Sequence, residues 1–295
     1  MKKDILKTEK AMPIGFIGAG KVGKALGKYF RLNDLDIVGI YDVDPKVSKN
    51  ASELIGVNFF AKLQDLVFKS EILFLTVSDK AIEAVWAEIV KFDLNGKIII
   101  HCSGALSSRI FARIDELGAF GYSLHPVMTI NDSPDSYQSL VSAHFTLEGS
   151  HEKLDVVKEL IATFGNSVHV IDEEHKSLYH CAAVFSSNFM LAVAEISMKL
   201  LERCGFDDEG QKILFPLMET SIKNVINEGT IMALTGPVER GDASTIEKHL
   251  NVLNQNEKQL YSLLSQTLID VAEVKNPEID YEILKKVVKN SLKLV

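Results

Sequence analysis

Through the first half of the chain short apolar runs alternate with amphipathic stretches, the pattern of repeated strand-helix units. PIGFIGA (13–19), DIVGIYD (36–42), SEILFLTV (70–77) and KIIIHCS (97–103) read as strands, and GKVGKALGKYF, KAIEAVWAEIV and SSRIFARIDEL carry helical spacing between them. AFGYSLHPV, HFTLEG and NSVHVID read as later strands, with HEKLDVVKELIATFG as a helix between the last two. From Glu173 the period changes. Leu178, Ala182, Phe185, Phe189, Ala192, Ile196 and Leu200 step by three or four along one stripe, which predicts a single long helix ending near Cys204-Gly205. Further helical stretches follow around 207–228, 243–254, 256–273 and 278–293, and no strand pattern returns. The expected organisation is an α/β N-terminal domain over 1–172, joined through a tight junction to an all-α C-terminal domain over 173–295.

Composition narrows the partners. The 295 residues are 46% hydrophobic and 24% charged, and no apolar run approaches the roughly 18 residues of a membrane span. A net charge of -8 opposes the field that nucleic acid or an anionic lipid surface requires, so neither is an expected partner. A small molecule is. Cys102, Cys181 and Cys204 lack paired metal-ligand spacing, so the reading is free thiols in a reducing compartment, with no metal site. The opening MKKDILKTEKAM has no apolar signal region, which leaves the cytoplasm as the expected location.

Gly18-Ala19-Gly20-Lys21-Val22-Gly23 has the spacing of a dinucleotide-binding turn, with a strand entering it and a helix leaving it, as in a Rossmann unit. Gly18 allows the tight turn, Gly20 lets backbone approach a pyrophosphate, and Gly23 permits close packing of helix on strand, with Lys21 and Val22 opening the helix that faces the phosphates. Asp42 follows at the end of the next strand, placed to accept hydrogen bonds from the adenosine ribose and to repel a 2′-phosphate, which leans toward NAD over NADP. Asp44, ahead of Pro45, fits a helix cap better. Ligands collect at the carboxyl ends of strands in open α/β sheets, and those ends here read Thr76-Val77-Ser78, His101-Cys102-Ser103-Gly104 and Ser123-Leu124-His125-Pro126. Each also has an ordinary reading as a cap, a turn or a hydrogen-bonded histidine.

On the long helix, at about 100° per residue, Lys176, His180 and Ser187 fall within about 40° of one another, and Asn188 about 80° beyond His180. A polar edge thus runs beside the apolar stripe just after the domain junction, although a solvated face would look the same. In ALTGPVERGD, Gly236-Pro237 and Gly241 force a turn and Asp242 can cap a helix from Ala243. Arg240 is left to offer a planar fork to a substrate carboxylate, or to pair with a surface acid.

GFIGAGKVGKAL, HCSGALSS, SLHPVMTI, KSLYHCAAVFSSNFM and ALTGPVERGDASTIEKHL together resemble the two-domain family described as Rossmann-like with a DUF2520 C-terminal domain. The resemblance implies a 6-phosphogluconate-dehydrogenase-like helical domain and an NAD(P)-dependent oxidoreductase. Its class includes ketopantoate, pyrroline-5-carboxylate and β-hydroxyacid enzymes, and some members look like alternative ketopantoate (2-dehydropantoate) reductases. In that class a lysine opening the interdomain helix donates the proton and an asparagine one turn later orients substrate. Lys176 matches the lysine, but His180 holds the one-turn position and Asn188 lies further on, so the polarising role is divided between them. The resulting expectation is reduction of a carbonyl on a small carboxylate-bearing substrate, ketopantoate first. Its rivals are an imine reductase of the pyrroline-5-carboxylate type and a dinucleotide-binding sensor without turnover. The apolar helical domain suggests a homodimer.

Overall fold

The computed structural model describes residues 12–206 and 209–293. They fall into two compact units that divide between Leu191 and Ala192. In chain order the first unit contains β1 (Ile14–Ile17), α1 (Lys21–Leu32), β2 (Ile37–Tyr41), α2 (Pro45–Ile55), α3 (Leu63–Lys69), β3 (Ile72–Leu75), α4 (Asp79–Ile89), β4 (Ile98–His101), β5 (Phe120–Val127), β6 (His144–Gly149), α5 (Leu154–Ala162), β7 (Val168–Val170) and α6 (Lys176–Ser186). The expected strands are all present, in one seven-stranded sheet of order β2-β1-β3-β4-β5-β6-β7. Every pairing is parallel except β5 with β6.

β1, β3 and β4 are buried along their whole length, because a parallel sheet carries helices on both faces. One face packs Phe16, Phe74 and Ile100 against Phe30 of α1 and Ile161 of α5. The other packs Leu73, Leu75 and Ile99 against Leu66 of α3 and Trp86 of α4. The chain leaves β1 for β2 on one side and returns to β3 on the other, so the crevice where ligands collect lies at the carboxyl ends of β1 and β3.

Two helical expectations are corrected. SSRIFARIDEL forms two separate 3-10 turns, Ser108–Ile110 and Ile114–Leu117, because Arg113 between them takes a positive φ of 61° that no α-helix accommodates. The long helix is broken: α6 stops at Ser186, Ser187 turns to φ -127°, ψ -75°, and α7 (Asn188–Glu202) begins anew. Ser186 and Ser187 donate their hydroxyls to the carbonyls of Ala182 and Ala183, at 3.0 and 2.7 Å, a back-bonding that bends helices. α6 belongs to the first compact unit, whereas the spacing had placed the junction before it, near residue 172. The whole stretch Glu173–Glu202 reaches a mean hydropathy of 1.5 over a window of which none is buried. By length and composition alone it meets the measure of a membrane span, which the reading from apolar runs did not anticipate. An ion pair between Glu195 and Lys199, at 2.9 Å, sits within it.

The elements of the second unit are helical, with α8 (Gly210–Ala233), α9 (Ala243–Val252), α10 (Gln255–Lys275) and α11 (Glu282–Lys293). Ile246, Ile269, Tyr281 and Val288 form its core. Asp242 caps α9 as expected, accepting from the Thr245 N–H at 3.1 Å. The Thr245 hydroxyl and N–H, then Ser244 and Arg240, hold that carboxyl down to about 2.

Candidate functional site

The glycine turn has the geometry its spacing predicts. Gly18 sits at φ 105°, and a Cβ there would come within 2.8 Å of Val77 N at the end of β3. Thr76, at the strand end that precedes Val77-Ser78, fastens the turn by donating its hydroxyl to Gly18 O at 2.7 Å. At Gly23 a Cβ would lie 2.2 Å from Gly18 O, so only glycine lets α1 pack this closely on the turn. Gly20 is the opposite case: a Cβ there meets nothing within 4 Å. It stands at the N-cap of α1, with no side-chain cap and no acid in the first turn, so backbone N–H groups face open space. Lys21 is exposed at the head of the helix, while Val22 packs partly into the core. Ser78 holds the N-cap position of α4, also without a side-chain cap. An open helix N-terminus, room at Gly20 and no competing acid together fit a pyrophosphate.

Asp42 does more than was expected of it. Its carboxylate accepts from Ala19 N at 2.8 Å and from Asp44 N at 3.0 Å, so it braces the glycine turn itself. Two of its roughly four acceptor positions remain for a ribose. Asp44 caps α2 through Lys46 N.

The second part of the site follows from strand alternation. On β5, Tyr122 and Leu124 enter one core cluster, and on β6, Phe145 and Leu147 enter the same one. Ser123 and His125 therefore turn to the opposite face with Thr146 and Glu148, since the register pairs Ser123 with Glu148 and His125 with Thr146. β4 adds His101 beside Ser123. α6 meets this polar face with Lys176, Tyr179 and His180.

Lys176 is 1% exposed, and its ammonium donates to Ser123 Oγ at 2.7 Å. Burial pushes it down to about 8, against the opposing pull of Glu148 first and of Asp79. Tyr179 Oη lies 2.7 Å from His125 Nδ1, and burial pushes the phenol up, so it keeps its proton. Burial, with the charges of Lys176, His180 and His101, brings His125 down to about 4 and leaves the ring neutral at neutral pH. His180 packs on Gly104, where a Cβ would come within 2.4 Å of His180 Nδ1 and 3.0 Å of His125 Nε2. His180 Nδ1 is enclosed without a hydrogen-bond partner.

The structure thus brings Lys176, His180, His125 and Gly104 together. Ser103 is close by, but its hydroxyl donates to Asp79 and accepts from Ala105 N and Leu106 N, which occupies it in shaping the turn. Asn188 is exposed on α7 beyond the break and bonds Ser187, so the continuous polar edge drawn from Lys176 to Asn188 does not exist. Arg240 is exposed on the turn before α9 in the second unit, and among the described residues its side chain makes no hydrogen bond or ion pair. Ser123 was read only as part of a strand end, and Tyr179 and Glu148 were missed. The signal for Glu148 was the alternation in HFTLEG, which sets it on the face opposite Phe145 and Leu147, and Tyr179 stood three residues after Lys176.

The Rossmann-like domain family matches residues 3–126, and the domain of unknown function DUF2520 matches residues 143–268. The two matches follow one another along the chain, with β6 and β7 of the sheet inside the DUF2520 match. No curated protein compared with the chain matches it. Among solved structures, protein TM1727 from Thermotoga maritima is similar at 27% identity and a TM-score of 0.72, over 89% of this chain and 99% of that one. A protein assigned as an NADP oxidoreductase from Bacteroides fragilis follows at 22% identity and 0.68, over 88% and 98%. The 1-pyrroline-5-carboxylate reductase of Streptococcus pyogenes is similar at 17% identity and 0.60, over 96% and 98%. At those identities the last two likenesses are of fold.

Proposed function

We propose, for a chain that matches a Rossmann-like domain and, after it, DUF2520, that it is an NAD(P)-dependent oxidoreductase reducing a carbonyl on a small carboxylate-bearing substrate. The observation that carries the reading is the placement, on the carboxyl ends of one sheet, of an open glycine turn and a buried lysine among neutral hydrogen-bonding groups. When bound, the nicotinamide would supply hydride. The protein's share is position and a proton. The bond to Ser123 uses one of the three N–H donors of Lys176, leaving two for a substrate oxygen. Because the ammonium is enclosed, the proton is delivered inside the site and not from bulk water. In the tautomer in which Tyr179 donates to His125 Nδ1, the neutral ring carries its own proton on Nε2, where it can polarise the same oxygen. His180 holds the wall behind it against Gly104.

Ketopantoate, from the family resemblance, is the first substrate to try, in a panel of 2-oxo acids and cyclic imines followed by loss of NADH or NADPH fluorescence. The reading expects turnover with one class. It also expects Lys176→Met to bind nucleotide as the wild type does while turnover drops by about 10²–10⁴. Tight nucleotide binding with no turnover across the panel would instead make the protein a dinucleotide sensor.

A further inference from the structure

The segment Ser107-Ser108-Arg109, the end of the HCSGALSS run noted in the sequence and the arginine after it, has no part in the reaction described above, yet it grips two acids. Ser108 donates both its N–H and its hydroxyl to the two oxygens of Glu148, each at 2.8 Å. Ser107 donates its hydroxyl to Glu173 at 2.9 Å, and Arg109 pairs with the same oxygen at 2.6 Å. Glu148 is 2% exposed on a strand of the sheet interior, a position where an unpaired carboxylate is costly. Directly across the antiparallel pair stands Ser123, the acceptor of the Lys176 ammonium, so acid, hydroxyl and amine share one face.

We propose that Glu148, oriented by Ser108, is the positioning residue that keeps Lys176 charged inside the closed site and so makes it a proton donor. The inference rests on the reductase reading for its purpose, but not for its test.

The other groups facing Lys176 cannot take this part. Burial pushes the Cys102 thiol up to about 12, so it is uncharged at neutral pH. His101, on β4, and His125, on β5, are both brought down to about 4, by burial first, and are neutral. Tyr179, on α6, keeps its proton because burial raises it, and it offers Lys176 only its ring, 5.7 Å from the ammonium. Asp79, at the start of α4, is turned to the Ser103 hydroxyl and ranks behind Glu148 in its pull on the lysine. Burial raises Glu148 in its turn, as does Glu173 to a smaller degree, while the two Ser108 bonds and Lys176 draw it back toward the ionised form. The clamp and the lysine therefore support the same charge state.

The test is a titration of the protein itself, without cofactor or substrate. In 13C-lysine-labelled protein, the Lys176 Cε resonance is the one lost in Lys176→Met, and its midpoint in the wild type should lie near 8. In Glu148→Gln the midpoint should fall by about one pH unit or more, because an opposite charge nearby has been removed. Linkage requires the reciprocal effect: in Lys176→Met the Glu148 carboxyl midpoint should rise by the same amount. Lys176→Met replaces a buried cation with an apolar side chain of similar length, so it decides the matter where Glu148→Gln does not fold. Midpoints that stay within about 0.3 pH unit of the wild type would overturn the proposal. A missing turnover in the substrate panel would overturn the reductase reading alone and leave this coupling measurable.

Discussion

Two glycines three residues apart should fail in opposite ways. At Gly23 an added Cβ would sit 2.2 Å from Gly18 O and 2.7 Å from Thr76 Oγ1, and both atoms belong to the fastened turn. The contact must open by about an ångström, which overpacking of a well-packed site makes cost about 1–3 kcal/mol of folding stability. Gly20 has φ -73°, which alanine adopts freely, and nothing within 4 Å of a new Cβ, so the fold should not notice the change. A pyrophosphate occupying that space would notice it. A misfit of about 1–3 kcal/mol becomes a loss of roughly five- to 150-fold in nucleotide affinity. Urea unfolding of Gly20→Ala and Gly23→Ala, each alongside fluorescence titration with NADH and NADPH, separates the two effects. Gly20→Ala binding nucleotide like the wild type would refute the placement of the pyrophosphate, and Gly23→Ala unfolding like the wild type would refute the packing argument.

Other expectations follow from neighbouring features. Asp42→Ala should weaken both nucleotides because Ala19 N loses its acceptor, whereas Asp42→Asn keeps one acceptor, removes the charge, and should narrow any preference for NADH over NADPH; titrating both nucleotides tells these apart. His101 and His125 have folded values near 4, below the unfolded 6.5 or so. Their contribution to stability is complete above about pH 6.5 and is lost as pH falls toward 4, by about 1.4 kcal/mol per pH unit for each ring. Urea midpoints measured from pH 7 to 5 should decline accordingly, and less steeply in His101→Asn.

Strands were legible because burial on both faces writes an unmistakable run such as ILFL or IIIH, and the glycine turn because each of its three constraints is local. What stayed hidden depends on contacts between distant segments. Lys176 reads as a polar residue on a helix edge, matched to a proton donor by resemblance, and its burial stays hidden until Ser123 and Glu148 arrive from strands whose antiparallel register no local pattern reveals. Asp42 reads only as a ribose ligand, and its second task, accepting from Ala19 N, shows once β2 returns beside β1. The false continuity of the long helix has a local cause that periodicity ignores, since the stripe of apolar residues runs straight through Ser186-Ser187 while their hydroxyls compete for the helix's own carbonyls.

The strand register also acts as a ruler. Ile17, the last residue before the glycine turn, pairs with Leu75, Leu75 with His101, and His101 with Ser123, the acceptor of the Lys176 ammonium. This unbroken row crosses three strand spacings, or about 14 Å. Its length is dictated by backbone hydrogen bonding, so no side-chain substitution in the loops above can stretch or shorten it. Substitutions in the helical half and in the loops leave this row untouched, so the gauge between the glycine turn and the buried amine is set by the sheet alone.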